Sequence, residues 1–141
     1  MVNVLDIMTP KVVCVYKSDS LEKVLQVMEK TGSHHLIVVE ADGSLVGIIS
    51  DRDCKEALLS PITTFNARQQ SKFASQITVE RIMTPAPITI MPQVTIQEAA
   101  NLMLEKHIHA LPVLHDGCVI GIVTSTDLLK VLASLAEIVT V

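Results

Sequence analysis

Aromatic residues are almost missing from this chain, and so is any excess of positive charge. Of the 141 residues only 2% are aromatic, none is tryptophan, and 11 basic side chains stand against 15 acidic ones, giving a net charge of −4. Proteins bind nucleic acids by neutralising phosphates and, on single strands, by stacking bases on aromatic rings. The composition therefore argues against a nucleic-acid partner.

Long apolar runs are also missing, although 49% of the residues are hydrophobic. Runs such as Leu36–Val39 and Val119–Val123 fall far short of the roughly 20 residues that a membrane-spanning helix needs. The first residues have neither the basic start nor the apolar stretch of a signal peptide. Three cysteines without close pairing suit a reducing compartment. We therefore expect a globular cytoplasmic protein without a membrane segment.

The chain contains one sequence pattern twice. Ile7–Pro10 returns as Ile82–Pro85, and Gly47–Asp53 returns, with changes, as Gly121–Asp127. The two copies are 75 residues apart before an Asp-Gly pair and 74 residues apart after it. One residue is therefore missing from the second copy in a loop, where chain length varies most easily.

Each copy predicts the order strand, helix, strand, strand, helix. Ser20 and Thr95 stand at the N-caps of amphipathic helices, and Thr95 with Glu98 has the spacing of a capping box. The Asp-Gly pair between two β-branched runs is a hairpin signal. The predicted strands are 12–15, 36–40, 45–50, 88–90, 111–115 and 118–124, and the predicted closing helices are 51–59 and 125–138.

These elements indicate an α+β fold built from two β-α-β-β-α repeats with approximate two-fold symmetry. We assign the first repeat to residues 1–60, a connector to 61–80 and the second repeat to 81–141. A repeat of about 50 residues buries too little surface to be secure alone, so we expect both to form one compact domain. The sequence leaves open whether the connector is loop or helix.

The segment Gly-x-x-Ser/Thr-x-x-Asp, present in both copies, is the strongest candidate for a functional site. Ser50 and Asp53, like Thr124 and Asp127, have the spacing of a helix N-cap and its third residue. The same hydroxyl and carboxylate can also bind the paired hydroxyls of a ribose, with a phosphate at the helix N-terminus. Both interpretations remain open, and they are compatible.

The tandem resembles a pair of cystathionine-β-synthase (CBS) domains, also called a Bateman module. The resemblance rests on Asp6–Pro10, Arg81–Pro85, Ala110–Val113 and the two Gly-x-x-Ser/Thr-x-x-Asp segments, and it spans nearly everything but the connector. It implies a non-catalytic regulatory module with two clefts for AMP, ADP, ATP, S-adenosylmethionine or a related adenosyl ligand. It also implies a homodimer, often a flat disc of four repeats, and a regulated protein partner that the sequence does not identify.

The resemblance also implies which residues line the two clefts. The first set is Ser50, Asp53, Ala86, Ile88, Ile108, His109 and Ala110. The second set is Thr124, Asp127, Lys11, Val13, Ser33, His34 and His35. Arg52 and Lys11 are the candidate cations for a phosphate. Because the first copy has His35 where the family often has alanine, and the second has Thr126 in place of Arg52, we expect unequal clefts.

The sequence also leaves three other interpretations open. His107 and His109, two apart on a predicted strand, could bind a transition metal together with His34, His35 and either Cys118 or His115, although the familiar metal spacings are missing. A ligand-free interaction module would need only the capping role of the repeated motif. Intrinsic catalysis has the least support, since no nucleophile elbow and no phosphate-binding glycine loop is present.

Overall fold

The computed structural model describes residues 2–59 and 66–138, with side chains up to residue 135. Among these residues, helices and strands follow one another in an order that repeats once. In chain order they are α1 Val4–Ile7, β1 Cys14–Tyr16, α2 Leu21–Thr31, β2 His35–Val39, β3 Leu45–Ser50, α3 Asp51–Leu59, α4 Ala67–Gln76, α5 Val79–Ile82, β4 Thr84–Pro85, α6 Ile96–Lys106, β5 Ala110–His115, β6 Cys118–Thr124 and α7 Ser125–Ile138.

The chain divides into two compact units that do not follow the sequence repeats. The first-repeat unit is Val13–Pro87, and the second-repeat unit consists of the described residues of 1–12 and 88–141. Each unit therefore holds the body of one repeat and the opening segment of the other. The opening segment with Met8 and Thr9 belongs to the second-repeat unit, and the one with Met83 and Thr84 belongs to the first-repeat unit.

The first-repeat unit is built on a four-stranded sheet in the order β1-β2-β3-β4. β1 lies parallel to β2, and the other two pairings are antiparallel. All of Leu36, Ile37, Val38 and Val39 on β2 are buried, as the continuous apolar run predicts for a strand covered on both faces. The connector forms α4, whose Ala74 joins the buried cluster of this unit.

The second-repeat unit has the same plan with a shorter ladder. β5 and β6 form a hairpin, and isolated bridges join Ile90 to Val113 and Thr9 to Ile122. The predicted strand 88–90 is therefore wrong, because only the bridge at Ile90 forms. The reason lies in one residue of the facing strand. In the first-repeat unit the Ile37 N–H donates to Val13 O at 3.0 Å, but the residue equivalent to Ile37 is Pro112, which has no N–H to donate to Ile88.

The two hairpin turns explain the change of spacing between the copies. In the second copy His115 pairs with Cys118 across a two-residue turn, with Asp116 at φ 51° and Gly117 at φ 78°. Positive φ at both positions is the geometry that favours Asp-Gly. The first copy uses a wider loop in which the Glu40 N–H donates to Ser44 O at 3.0 Å. The predicted loop is therefore where the copies differ in length.

Gly47 and Gly121 allow each opening segment to lie directly on a strand. A Cβ on Gly47 would stand 2.5 Å from Met83 Sδ, and one on Gly121 would stand 2.6 Å from Met8 Sδ. The backbone oxygen of Thr9 would lie 2.9 Å from the latter Cβ. The repeated glycine therefore serves close packing, one of the roles that the sequence suggests.

The helix ends agree with the sequence analysis in all but one detail. The Oγ atoms of Ser20 and Thr95 accept the predicted N-cap bonds, from the N–H groups of Lys23 and Glu98. The reciprocal bond from the Thr95 N–H to the Glu98 carboxylate is not formed, so the predicted capping box is only half present. The closing helices begin and end at the predicted residues.

Candidate functional site

The hydroxyl and carboxylate of the repeated motif bind each other across the junction of strand and helix. β3 ends at Ser50 and α3 begins at Asp51, so Asp53 lies in the first helical turn. The Asp53 N–H donates to Ser50 Oγ at 3.1 Å, and the Ser50 N–H donates to Asp53 Oδ2 at 2.8 Å. This reciprocal pair is a capping box, and it holds both side chains in place.

Thr124 and Asp127 repeat this arrangement where β6 meets α7. The Asp127 N–H donates to Thr124 Oγ1 at 3.3 Å, and the Thr124 N–H donates to Asp127 Oδ2 at 2.8 Å. The Thr124 hydroxyl also lies 3.1 Å from Asp127 Oδ2 and donates to it. The structural role that the sequence predicts for these residues is therefore present in both copies.

Each capping box uses only one oxygen of its carboxylate. In the part of the chain that the structure describes, the bonds to Asp53 and Asp127 all end on Oδ2. Both residues are half-buried. Oδ1 is therefore available to accept a hydrogen bond from a ligand hydroxyl while Oδ2 keeps capping the helix.

A histidine and a second carboxylate lie beside the first hydroxyl–carboxylate pair. The Asp51 N–H donates to His34 O at 2.9 Å, and His34 Nδ1 lies 3.1 Å from Asp51 Oδ2. His35 faces Ser50 in the β2–β3 register. The structure thus brings His34, His35 and Ser50 together within the first-repeat unit, although the resemblance assigns Ser50 to the first set and the two histidines to the second.

The second-repeat unit lacks this second carboxylate. The Ser125 N–H donates to His109 O at 2.9 Å, and Ala110 faces Thr124 in the β5–β6 register. Ser125 stands where the first copy has Asp51, so His109 has no equivalent of the His34–Asp51 pair. The sequence could have revealed this difference, which appears when the two copies are aligned.

The two candidate phosphate-binding cations are both exposed. The Arg52 Nε donates to Glu56 Oε1 at 3.3 Å, one turn further along α3. This contact between two exposed side chains holds the guanidinium only weakly. Lys11 belongs to the second-repeat unit.

Ala86 adds a feature that the sequence analysis missed. It has a left-handed backbone at φ 45°, and its N–H donates to Val46 O at 3.1 Å. A non-glycine residue in this conformation is strained, and such strain is often found at functional sites. No signal in the sequence indicated it, because Pro87 biases the residue before it toward an extended backbone and not a left-handed one.

Cys54, which follows Asp53 on α3, is not expected to be reactive. Cys54 is 1% exposed on α3. Burial raises the pKa of its thiol to about 11, and the nearby charges of Asp53 and Asp51 add to the shift. A thiol with this pKa stays protonated near neutrality and is a poor nucleophile.

The remaining predicted site residues fall in both units. Ser33 and Val13, with Ser50, Asp53 and Ala86, belong to the first-repeat unit, whereas Ile88, Ile108, His109, Ala110, Thr124, Asp127 and Lys11 belong to the second-repeat unit. Each predicted set draws members from both units, so its joint action stays a prediction.

The histidines do not form the metal cluster considered above. His107 is the left-handed C-cap of α6 and not a strand residue, so the expectation that it shares a strand face with His109 is wrong. Within residues 2–59 and 66–138 no three His, Cys, Asp or Glu side chains lie close enough to hold a metal ion. Over the same residues, no helix has the length and apolar character needed to cross a bilayer.

Comparisons with known proteins now bear on this geometry. The sequence profile of the family described as CBS domain matches residues 4–60 and 79–134. A CBS domain-containing protein of Dictyostelium discoideum is 37% identical over 119 residues, which covers 84% of this chain and 82% of that protein.

Two solved structures that resemble this chain contain adenosyl compounds. The CBS domain pair of protein MJ0100, in complex with 5-methylthioadenosine and S-adenosyl-L-methionine, superposes with a TM-score of 0.81 at 27% identity, over 96% of this chain and 98% of that chain. CBSX2 in complex with AMP superposes with a TM-score of 0.75 at 28% identity and the same coverage of 96% and 98%. The fold is therefore that of a CBS domain pair.

Proposed function

This chain belongs to the CBS-domain family, and from that premise we propose that it is a regulatory module for an adenosyl ligand. The ligand is an adenine nucleotide or a relative such as S-adenosylmethionine. The observation that carries the proposal is the pair of half-buried carboxylates, Asp53 and Asp127, each with one oxygen left over from capping. The ligands of the two similar solved structures support the chemical class.

The ribose is the part of the ligand that these pairs recognise. Its two neighbouring hydroxyls donate to the carboxylate, and the hydroxyl of Ser50 or Thr124 adds a third polar contact. A hydrogen bond to a charged group contributes about 1.5–3 kcal/mol, so the carboxylate supplies much of the specificity for a sugar. The first turn of α3 or α7 stabilises a phosphate nearby through its unpaired N–H groups.

The two pairs differ in their preference for a phosphate. Arg52 follows the first pair by position, whereas the second copy has Thr126 there. A guanidinium binds phosphate in a bidentate manner, which a hydroxyl cannot match. The pair in the first copy therefore favours a nucleotide such as AMP, ADP or ATP, and Lys11 is the cation proposed for the second.

Ligand binding acts by changing the affinity for a protein partner, and we propose no catalytic step. The coupling is reciprocal, because any partner that prefers the liganded state must also tighten ligand binding. The protein acts in the cytoplasm as a homodimer in this proposal. The three free cysteines, Cys14, Cys54 and Cys118, suit a reducing compartment.

Calorimetric titration of the native chain with AMP, ADP, ATP and S-adenosylmethionine tests the proposal. We expect saturable binding of at least one of them, with a stoichiometry that counts the occupied pairs. Asp53→Asn and Asp127→Asn keep an oxygen for the cap but remove the charge. We expect the occupied pair to lose at least about tenfold in affinity.

Glu29→Gln is the matched control, because it removes a carboxylate charge from an exposed position of α2 in the same unit, outside the candidate site. It should leave the affinity within about threefold, the scatter expected for an exposed charge. Thermal unfolding without ligand should show that all three variants are folded. If none of the four compounds binds, or if both asparagine variants bind like the native chain, the proposed function is wrong.

One observation favours a second candidate function, a ligand-free interaction module. The capping bonds of Ser50–Asp53 and Thr124–Asp127 give both motifs a structural role that needs no ligand. The same titration separates the candidates, because an interaction module shows no saturable heat with any of the four compounds.

A further inference from the structure

A methionine in each opening segment fills the space that a side chain on the facing glycine would need. In the second-repeat unit this residue is Met8, whose Sδ would stand 2.6 Å from a Cβ on Gly121. Met8 is half-buried and packs against the buried apolar cluster that includes Val4 and Val123. The thioether is therefore part of the contact that holds the opening segment in place.

Few backbone hydrogen bonds join the segment around Met8 to β6. The Thr9 N–H donates to Ile122 O at 2.9 Å, and the Ile122 N–H donates to Thr9 O at 3.0 Å. Among the described residues of the segment, this isolated bridge is the only pairing with β6. The bridge stays closed only while the packing of Met8 keeps Thr9 next to the strand.

The equivalent segment of the first-repeat unit has more backbone support. Met83 covers Gly47 as Met8 covers Gly121. Here β4 pairs with two residues of β3, and the Ala86 N–H just after it donates to Val46 O at 3.1 Å. Loss of the methionine contact should therefore have a smaller effect in the first-repeat unit.

A sulfoxide at Met8 does not fit this packing. Oxidation converts the apolar thioether into a polar group with a strongly accepting oxygen. The N–H groups of Met8, Thr9 and Ile122 already have backbone acceptors, and the Thr9 carbonyl lies close to the same glycine. A sulfoxide oxygen would therefore be buried without a donor, which is unfavourable. The side chain must turn towards solvent, and its contact over Gly121 is lost.

From this geometry we infer that Met8 is a redox-sensitive site, and that its oxidation by a peroxide releases the opening segment from β6. A lone pair of Sδ attacks one oxygen of hydrogen peroxide, so that an S–O bond forms while the O–O bond breaks. The sulfur loses two electrons, the peroxide gains them, and the second oxygen leaves as water with both hydrogens. The step is reversible, because sulfoxide reductases restore the thioether.

The released segment leads directly to a residue of the proposed ligand site. Lys11 follows Thr9 by two residues and is the cation proposed for a ligand held by Thr124 and Asp127. Oxidation of Met8 should therefore weaken AMP at this pair by about threefold or more, as expected for the loss of one exposed charge contact. This consequence rests on the proposed function, whereas the release of the segment does not.

Amide hydrogen exchange of the full chain, before and after treatment with hydrogen peroxide, tests the inference without any ligand. Mass spectrometry gives the oxidised fraction of each methionine, and dithiothreitol added afterwards reverses sulfenic acids and disulfides but leaves sulfoxides. When Met8 is oxidised, the Thr9 and Ile122 amides should exchange at least about tenfold faster, because the closed bridge protects them. The Ala86 amide should change less.

Met8→Leu removes the sulfur at nearly constant volume and should abolish the response to peroxide. Met91→Leu is the matched control, because Met91 is 56% exposed and lies outside both opening segments. In this control the response at Thr9 should persist. Met8→Gln places a polar group at the same position and should speed exchange at Thr9 without peroxide, which gives an independent test if the leucine variant does not fold.

Three results would overturn the inference. The first is unchanged exchange at Thr9 and Ile122 in a chain whose Met8 is fully oxidised, or in Met8→Gln. The second is a Met8→Leu variant that responds to peroxide like the native chain. The third is a folded chain in which Met8 is oxidised no faster than Met103, which is 5% exposed. A chain that responds as expected but binds none of the four adenosyl compounds refutes the proposed function alone.

Discussion

The two units differ in charge on the outer faces of their long helices. The first-repeat unit has Glu22, Glu29, Arg52 and Lys55 where the second-repeat unit has the uncharged residues Gln97, Leu104, Thr126 and Leu129. Two structural features are the same in both units. Each unit has a glycine, Gly47 or Gly121, under the opening segment of the other repeat, and each has a hydroxyl–carboxylate pair at the start of its closing helix. The comparison teaches that the duplication preserved what the fold needs and let the helix surfaces diverge. The shared devices should therefore respond alike to mutation, and the divergent residues should not.

The largest expected effect tests the shared glycines. Gly47→Ala and Gly121→Ala should each lower the free energy of unfolding by about 2–3 kcal/mol, because the new Cβ overlaps a methionine and approaches a backbone oxygen. Urea unfolding followed by circular dichroism measures the loss. Similar losses at both positions would support equivalent roles for the two opening segments.

A second substitution, at Met8, separates the overlap with the methionine side chain from the close approach to the backbone oxygen. Adding Met8→Ala to Gly121→Ala removes the contact with Sδ but leaves the Thr9 oxygen 2.9 Å from the new Cβ. In urea unfolding at the same pH, we expect the double variant to recover part of the stability that the methionine overlap removes. A neutral Gly121→Ala variant would contradict the close packing.

The next effect is confined to the first-repeat unit. Folding raises the pKa of Cys54 from 9.0 to about 11, whereas the equivalent Leu128 does not titrate. The folded thiol therefore holds its proton between pH 9 and 11 while the unfolded thiol loses it. Stability from this source is complete below pH 9 and falls as the pH rises toward 11, by up to roughly 2 kcal/mol.

Cys54→Ala provides the control for this pH dependence. The variant loses some packing at every pH, but its stability should fall less steeply than that of the native chain between pH 9 and 11. Unfolding by urea at several pH values across this range gives the two slopes. Equal slopes would mean that Cys54 does not contribute.

A smaller effect concerns the two capping hydroxyls. Ser50→Ala and Thr124→Ala should each reduce the free energy of unfolding by about 1 kcal/mol, since the first turn of α3 or α7 loses its N-cap. The loss at Thr124 should be the larger one, because its hydroxyl also donates to Asp127. Ser50→Thr keeps the cap and serves as the control; an alanine variant as stable as this control would contradict the capping role.

The smallest expected effect concerns a difference between the copies. Asp51→Ser installs the residue of the second copy and removes the His34–Asp51 contact, in which the side chains are 76% and 41% exposed. A polar contact between exposed side chains contributes little, so we expect a change below about 0.5 kcal/mol in thermal unfolding. A loss above about 1 kcal/mol would mean that this pair organises the first turn of α3.

Much of the fold could be predicted from the sequence because the duplication repeats every local signal. Ser20 and Thr95 cap their helices as predicted, and β3, β6, α3 and α7 have the predicted bounds. The strand at 88–90 was mispredicted because Pro112, on the facing strand, removes a donor that only the pairing reveals. The exchange of opening segments was missed, since a repeat gives no sign of which body its first residues contact.

The site was predictable where one motif contains the chemistry and unpredictable where distant segments meet. Ser50 with Asp53, and Thr124 with Asp127, are three residues apart, so their capping bonds follow from helix geometry. The left-handed backbone of Ala86 depends on its contact with Val46, far away in sequence. The exposure of Leu104 and Leu129 could not be predicted, because the sequence alone does not distinguish an exposed leucine on an amphipathic helix from a buried one.

The exchange of opening segments also sets the order in which the chain can fold as it leaves the ribosome. The segment with Val4 and Thr9 is synthesised well before its hydrogen-bond partners Val94 and Ile122. The first-repeat unit can close once residues 78–85 have emerged. The second-repeat unit must wait for β6, with Val4 and Met8 unpaired in the meantime. Long-range pairing of this kind is slow, so the segment with Val4 and Met8 is the part of the second-repeat unit most in need of protection from aggregation.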